Sequence, residues 1–218
     1  PWFQALLAKA GFSREDILVL VGDLVEKGRD SLATLRYIME LSATHTVYAL
    51  CGNCDNLAVD FIYGNGELGR DFYRFYLSVW GESALILQMA AEAGMEVRGP
   101  GDLPGLRMLL LERFRSELEF LRSLPTILES EHLVFVHGGV PSYAHMEELD
   151  AWQCMKNDDF LGQGRVFPKY CVVGHWPVAL YRGGRLCSNP IIERTRKIIS
   201  IDGGCVLKRD GQLNALVI

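Results

Sequence analysis

The sequence predicts an α/β protein, and three observations carry the prediction. Short β-branched apolar runs stop abruptly at Gly-containing turns, an amphipathic helix lies between the first two of them, and a long helical middle separates two strand-rich ends. The runs are 17–21 before Gly22-Asp23, 46–50 before Gly52-Asn53, 133–136 before His137-Gly138-Gly139, 170–173 before Gly174-His175 and 197–201 before Asp202-Gly203-Gly204. Continuous apolar runs of this length suit strands buried on both faces. Residues 31–41 place Leu32, Leu35, Ile38 and Met39 at helical spacing. Strand, turn, helix, strand is the rhythm of an α/β domain with its chemistry at the strand ends.

Residues 57–131 read mostly helical, with candidate helices at 71–80, 82–93 and 104–124. In the last, Leu106, Leu109, Leu110, Phe114, Leu118, Leu121 and Leu124 form one apolar stripe. Gly99-Pro100-Gly101 and Pro104 break the chain before it. This region is expected to be a helical insertion or cap within a single domain spanning 1–218. Residues 183–218 read as strands joined by a turn at Arg209-Asp210-Gly211.

Composition narrows the function. Hydrophobic residues make up 49% and charged ones 22%, which is ordinary for a globular chain. The net charge of -5 leaves no basic footprint for a nucleic-acid scaffold. A phosphate-ester substrate stays open, because divalent metals supply positive charge locally. No apolar run approaches the roughly 18–20 residues needed to span a bilayer. The six cysteines, Cys51, Cys54, Cys154, Cys171, Cys187 and Cys205, are scattered instead of forming a dense disulfide framework, so a cytoplasmic location is expected.

The turns present Asp23, Asn53, His137 and His175, each just after an apolar run. A carboxylate, an amide oxygen and two imidazoles form a mixed O/N set suited to Mn, Fe(II) or Zn. Singly, each is an ordinary turn residue. Four in this order, each behind a buried-strand pattern, point to a metal site. Cys51-x-x-Cys54 has no second pair at matching spacing for a zinc site.

Residues 22–31, Gly-Asp-Leu-Val-Glu-Lys-Gly-Arg-Asp-Ser, resemble the GDxVDRGPDS block of phosphoprotein-phosphatase-type enzymes in the calcineurin-like metallophosphoesterase superfamily. Gly52-Asn53-Cys54-Asp55 is similar to their GNH[DE] block, His137-Gly138-Gly139 to HGG and Gly174-His175-Trp176-Pro177 to GHTP. Residues 120–125 and 200–206 also resemble this branch. The resemblance implies a four-layer αββα sandwich holding two divalent ions, with Mn expected and Fe, Zn or Ni as alternatives. The ions clamp a water for in-line attack on phosphorus. Asp23 would bridge both ions, and Asn53, His137 and His175 would complete the second-metal site. Asp23, Glu26, Cys54 and Asp55 would form the catalytic group, while Lys27, Arg29, Asn53 and Trp176 would meet the substrate. Trp176 would either wall the pocket and stack on a base or simply pack. The remaining ligands of the first metal are expected in an Asp-x-His-Gly motif upstream of Pro1.

Four positions depart from the pattern. Cys54 stands in place of the His that protonates the leaving group, and Glu26 in place of the Asp that supports it. Lys27 replaces an Arg, and the Arg expected before the GH block has no clear match around Lys156-Asn157. Lysine is a point charge where arginine grips phosphate with a bidentate fork. Arg29, Arg165 and Arg182 are candidates to compensate. His45, His132 and His145 are expected to be structural or surface residues, with His145 the candidate exception, and Asp202 is expected to brace the site.

The expected activity is Ser/Thr-phosphatase-like hydrolysis of a phosphate ester or phosphoanhydride. Residues 22–41 also resemble bacterial diadenosine tetraphosphate hydrolases, so a dinucleoside polyphosphate hydrolase or phosphodiesterase is the alternative. The expected partner is a phosphorylated small molecule, a nucleotide or a phosphoprotein. From a different class, a metal-binding interaction module without catalysis would account for Cys54 and Lys27.

Overall fold

The computed structural model describes residues 2–64, 72–141, 143, 149–183, 187–205 and 211–218. His145, Arg209 and Asp210 lie outside the described residues. The chain divides into two compact units. One comprises Pro1–Gly22, Thr44–Asn53 and Pro125–Ile218, the other Asp23–Ala43 and Cys54–Leu124.

The first unit carries every named strand. Strands β1 (Ile17–Leu20) and β2 (Thr46–Ala49) pair in parallel. A second sheet has the order β3 (Ile127–Glu129), β4 (Leu133–Val136), β5 (Tyr170–Val173), β7 (Ile198–Ser200), β6 (Ile191–Glu193). Its three central strands, β4, β5 and β7, run parallel, and both edge strands are antiparallel. The turns after β4, β5 and β7 therefore leave the same end of the sheet. That is where open α/β sheets place their sites, because the parallel strands deliver their following loops together. Helix α1 (Trp2–Ala10) precedes β1. A short helix, Ala151–Met155, lies between β4 and β5. Val136, Val140, Phe160, Phe167, Val173 and Ile198 form the core of this unit.

The second unit is helical. It contains α2 (Ser31–Thr44, running into the first unit at its last residue), α3 (Asn53–Tyr63, entering from the first unit), α4 (Leu85–Glu92), α5 (Leu103–Arg113) and α6 (Arg115–Arg122). The short Ala151–Met155 helix is α7 in chain order. A π-helical turn at Tyr73–Leu77 continues into Ser78–Trp80 ahead of α4. Leu35, Ile86, Met89, Leu106, Leu110 and Leu118 are all fully buried in this unit's core.

Several expectations are corrected. The helix expected over 104–124 is two helices, because Phe114 leaves helical geometry at φ −126 and ψ 30. The apolar stripe survives the break, with Leu110, Phe114, Leu118 and Leu121 all buried. Near the end of the mostly helical region 57–131, Ile127–Glu129 adds an edge strand paired with β4 that the sequence reading did not place. Helix α3 starts earlier than expected, inside the Asn53-Cys54-Asp55 motif. Full burial on both faces holds for β7 and nearly for β5, but β1 and β2 are partly exposed, with Ile17 at 66% and Tyr48 at 47%. In the C-terminal region, β6 and β7 turn at 194–197, where Lys197 takes a left-handed φ of 56, while Gln212 only forms an isolated bridge with Gly204.

Candidate metal centre

In the strand-bearing unit, the turns after β1, β2, β4 and β5 converge. His137, the residue after β4, has its Nδ1 2.7 Å from the carbonyl of Val21 at the end of β1. A carbonyl only accepts, so Nδ1 carries the proton and the lone pair lies on Nε2, which is buried. A histidine fixed in this way through its second nitrogen is the usual preparation for metal ligation. His175, the second residue after β5, stands beside it with ring centres 5.2 Å apart. Its Nε2 lies 2.7 Å from Asp158 Oδ1. A carboxylate also only accepts, which puts a proton on Nε2 and, in the neutral ring, leaves the lone pair on Nδ1.

Glycines make this convergence possible. A Cβ on Gly22, at φ +82, would come within 2.7 Å of His137 Nδ1 and 2.8 Å of the Gly52 nitrogen. A Cβ on Gly139, at φ +137, would run into the Phe160 ring. Gly138 N–H donates to the Cys154 carbonyl at 2.6 Å and ties the His-Gly-Gly turn to α7. Asn53 is the first residue of α3, and its side-chain oxygen is buried.

The helical unit holds the other part of the motif. Asp23 Oδ1 accepts from the Cys54 N–H at 2.9 Å, and its Oδ2 accepts from the Cys54 thiol at 3.2 Å. Lys27 Nζ lies 3.5 Å from the same Oδ2 and 5.4 Å from the centre of the Trp80 ring. Burial pushes the Cys54 thiol well above its ordinary range, and the Asp23 carboxylate pushes the same way. For Lys27, burial alone would lower the ammonium, but Cys54 and Asp23 outweigh it and hold it above its ordinary value. Asp55 is completely buried and accepts from the backbone N–H groups of Leu24 (2.8 Å) and Val25 (3.2 Å). Buried Glu26 directs Oε2 at the first amide of α4, Leu85 N–H, at 3.1 Å.

Backbone strain marks these turns. Six non-glycine residues among those described have a left-handed φ, and four are candidate site residues: Asp23 (53), Glu26 (72), Lys27 (60) and His175 (61). Each such residue costs on the order of 1–2 kcal/mol, which the packing around it must overcome. The glycines in the motifs signalled sharp turns, but the strained positions extend to the functional residues themselves.

Other expected site residues are placed less centrally. Arg29 is exposed, and its carbonyl accepts from Gln88 at 3.1 Å. Trp176 is half-buried, and its backbone N–H donates to the Gly174 carbonyl at 2.7 Å. Arg182 donates to the carbonyls of Cys187, Asn189 and Pro190, which makes it a strap for that segment and not a phosphate fork. Exposed Arg165 donates to Gln163. Asp202 braces its own turn by accepting from Gly204 N–H at 2.7 Å. His45 stacks on Phe12 with ring centres 5.3 Å apart. Two residues that sequence reasoning did not place, Asp158 beside His175 and Trp80 under Lys27, are distant in sequence from the residues they touch. No motif spacing signalled them.

Among the described residues, no three His, Cys, Asp or Glu side chains group as a metal cage. The two imidazoles with the buried amide oxygen of Asn53 would give an N, N, O donor set of the kind that fits a borderline divalent ion. The sequence profile of the calcineurin-like phosphoesterases matches residues 2–179, which takes in all four motif turns. The chain belongs to this family. As a calcineurin-like phosphoesterase it is a metal-dependent hydrolase of phosphate esters, of a family that generally depends on a dinuclear metal centre. The mixed α/β fold is that of such an enzyme, and its substrates are phosphorylated. No curated protein matches the chain. No helix among the described residues is long and apolar enough to cross a membrane.

Proposed function

We propose that the enzyme belongs to the phosphoprotein-phosphatase-type branch and hydrolyses a phosphate monoester as Ser/Thr phosphatases do. The observation that supports this best is the pair of imidazoles, His137 and His175, 5.2 Å apart and each with one nitrogen fixed by a protein acceptor. His137 through Nε2, His175 through Nδ1 and Asn53 through its amide oxygen would hold one divalent ion. Asp23 is the carboxylate that the motif resemblance adds to them. When bound, divalent ions polarise the phosphoryl group and acidify water, and Mn is the expected metal.

The chain's own residues supply the rest. Burial and Asp23 push the Cys54 thiol above its ordinary range against the opposing pull of Lys27, and the thiol is the candidate proton donor for the leaving group. Asp55 and Glu26 hold the turn that carries Asp23, through Leu24, Val25 and Leu85. Lys27 offers phosphate a single positive point on the face of Trp80.

The same Lys27 favours a second reading. Without a bidentate fork at this position, a dianionic monoester loses part of its recognition, while a dinucleoside polyphosphate or a diester loses less. Full-length protein with Mn²⁺ distinguishes the readings on four substrates: an aryl phosphate, the matching diester, a phosphopeptide and diadenosine tetraphosphate. The monoesters are expected to turn over fastest, with activity lost in Asp23→Asn. Preference for the dinucleotide or the diester would replace the Ser/Thr-phosphatase reading with the second.

A further inference from the structure

Two side chains of opposite charge flank His175, and neither belongs to a motif turn. Lys156 follows α7, and Asp158 lies two residues further on. Asp158 Oδ1 is 2.7 Å from His175 Nε2 and 2.6 Å from Lys156 Nζ, while Lys156 Nζ is 3.4 Å from the same Nε2. All three residues belong to the strand-bearing unit.

The two neighbours ask opposite things of one nitrogen. A carboxylate only accepts, so Asp158 requires a proton on Nε2; an ammonium only donates, so Lys156 requires a lone pair there. The carboxylate contact is shorter by a margin that decides between them, and Lys156 is itself engaged as a donor to Asp158. The proton on Nε2 leaves the lone pair on Nδ1. Backbone geometry supports a held arrangement, because His175 (φ 61) and Asp159 (φ 54) both sit in the left-handed region.

We infer that Asp158 is the positioning residue for His175: it holds the ring in the Nδ1 lone-pair form against Lys156, which would otherwise take Nε2 as its own acceptor. The inference rests on the reading of His175 as a metal ligand given above. Carboxylates that orient a ligating histidine typically change metal affinity about 10–100-fold when removed. Asp158 is 51% exposed, which places the expected effect near tenfold.

The test uses metal-free full-length protein, with ¹⁵N imidazole spectra for the tautomer and chelator competition for the Mn²⁺ Kd. Asp158→Ala is expected to move the His175 proton from Nε2 to Nδ1 and weaken Mn²⁺ binding about tenfold. Asp158→Asn keeps an acceptor oxygen and is expected to preserve the tautomer and most of the affinity. Adding Lys156→Met to Asp158→Ala removes the competing donor and should recover part of the loss. A purely structural role for Asp158 would not produce this recovery. An unchanged tautomer and Kd in Asp158→Ala overturn the inference. His137→Ala and His175→Ala serve as the separate control. If both leave Mn²⁺ binding intact, the metal-site reading itself fails; if both abolish it while Asp158→Ala has no effect, only the positioning role fails.

Discussion

Cys54 sits where acid catalysis is expected, and its surroundings decide what it can do. Its thiol donates to Asp23, and burial pushes it above its ordinary range, which favours proton delivery over nucleophilic attack. Cys54→Ser should therefore slow hydrolysis of alkyl phosphates, which need a protonated leaving group, by about 10²-fold. Activated aryl esters should slow far less, and equal slowing of both in steady-state kinetics would remove the role. Asp55 acts through the backbone: replacing it with Ala leaves the Leu24 and Val25 amides without their acceptor. That change should cost about 2–6 kcal/mol in denaturant unfolding, since each buried unsatisfied donor costs on the order of 1–3 kcal/mol. These residues show what the sequence could reveal. Asp23, Asn53, His137 and His175 were legible because each follows an apolar run at a glycine turn. Asp158 was not, because its contact with His175 is made across 17 residues of chain whose spacing carries no pattern. Asp55 and Glu26, expected in the catalytic group, accept from the backbone amides of Leu24, Val25 and Leu85, contacts that no motif spacing signalled.

At the scale of elements, the helical unit is braced by Arg36 on α2. Its guanidinium meets Glu117 on α6 and Glu92 on α4, each at 2.9 Å. Burial alone would push the Glu117 carboxyl up, but hydrogen bonds from Ser116 and Arg36 outweigh it and hold the carboxyl below its ordinary value. A folded-state value below the unfolded one adds stability at pH above the unfolded carboxyl range, and the gain disappears as pH falls through the folded value. Glu117→Gln should therefore lower neutral-pH stability by about 1–2 kcal/mol, a figure reduced for the exposure of Arg36. It should also flatten the acid limb of the stability–pH curve below about pH 5. An acid limb identical to that of the parent protein would show that this network does not govern it. Element types were mostly readable here, because the 3.6-residue stripe and the short β-branched runs are strong local signals. The break at Phe114 was hidden because the stripe passes through it unchanged. The start of α3 was hidden because Asn, Cys and Asp read as a turn, although Asn and Asp are also good residues for a helix N-terminus. Edge strand β3 was hidden because three residues are too few to show a period.

Over the whole molecule, the motifs are shared between two cores. Asn53, His137 and His175 belong to the strand-bearing unit, whereas Asp23, Glu26, Lys27 and Cys54 belong to the helical one, and the boundaries fall at Gly22/Asp23 and Asn53/Cys54. The α/β class was legible from the order of runs and stripes. This division was not, because it depends on which helices pack together. A ligand that binds only the folded state stabilises it by mass action, about 2.7 kcal/mol at a hundredfold excess over Kd. Mn²⁺ should accordingly raise the Tm of the metal-free protein, and a chelator should reverse the rise. The most direct test of the central claim, that the turns after β2, β4 and β5 hold a divalent ion, is anomalous diffraction at the manganese edge from crystals of the Mn²⁺-loaded full-length protein. The expected result is a manganese peak bound by His137 through Nε2, His175 through Nδ1 and the Asn53 amide oxygen. Manganese that avoids both histidines, or binds His175 through Nε2, would contradict it.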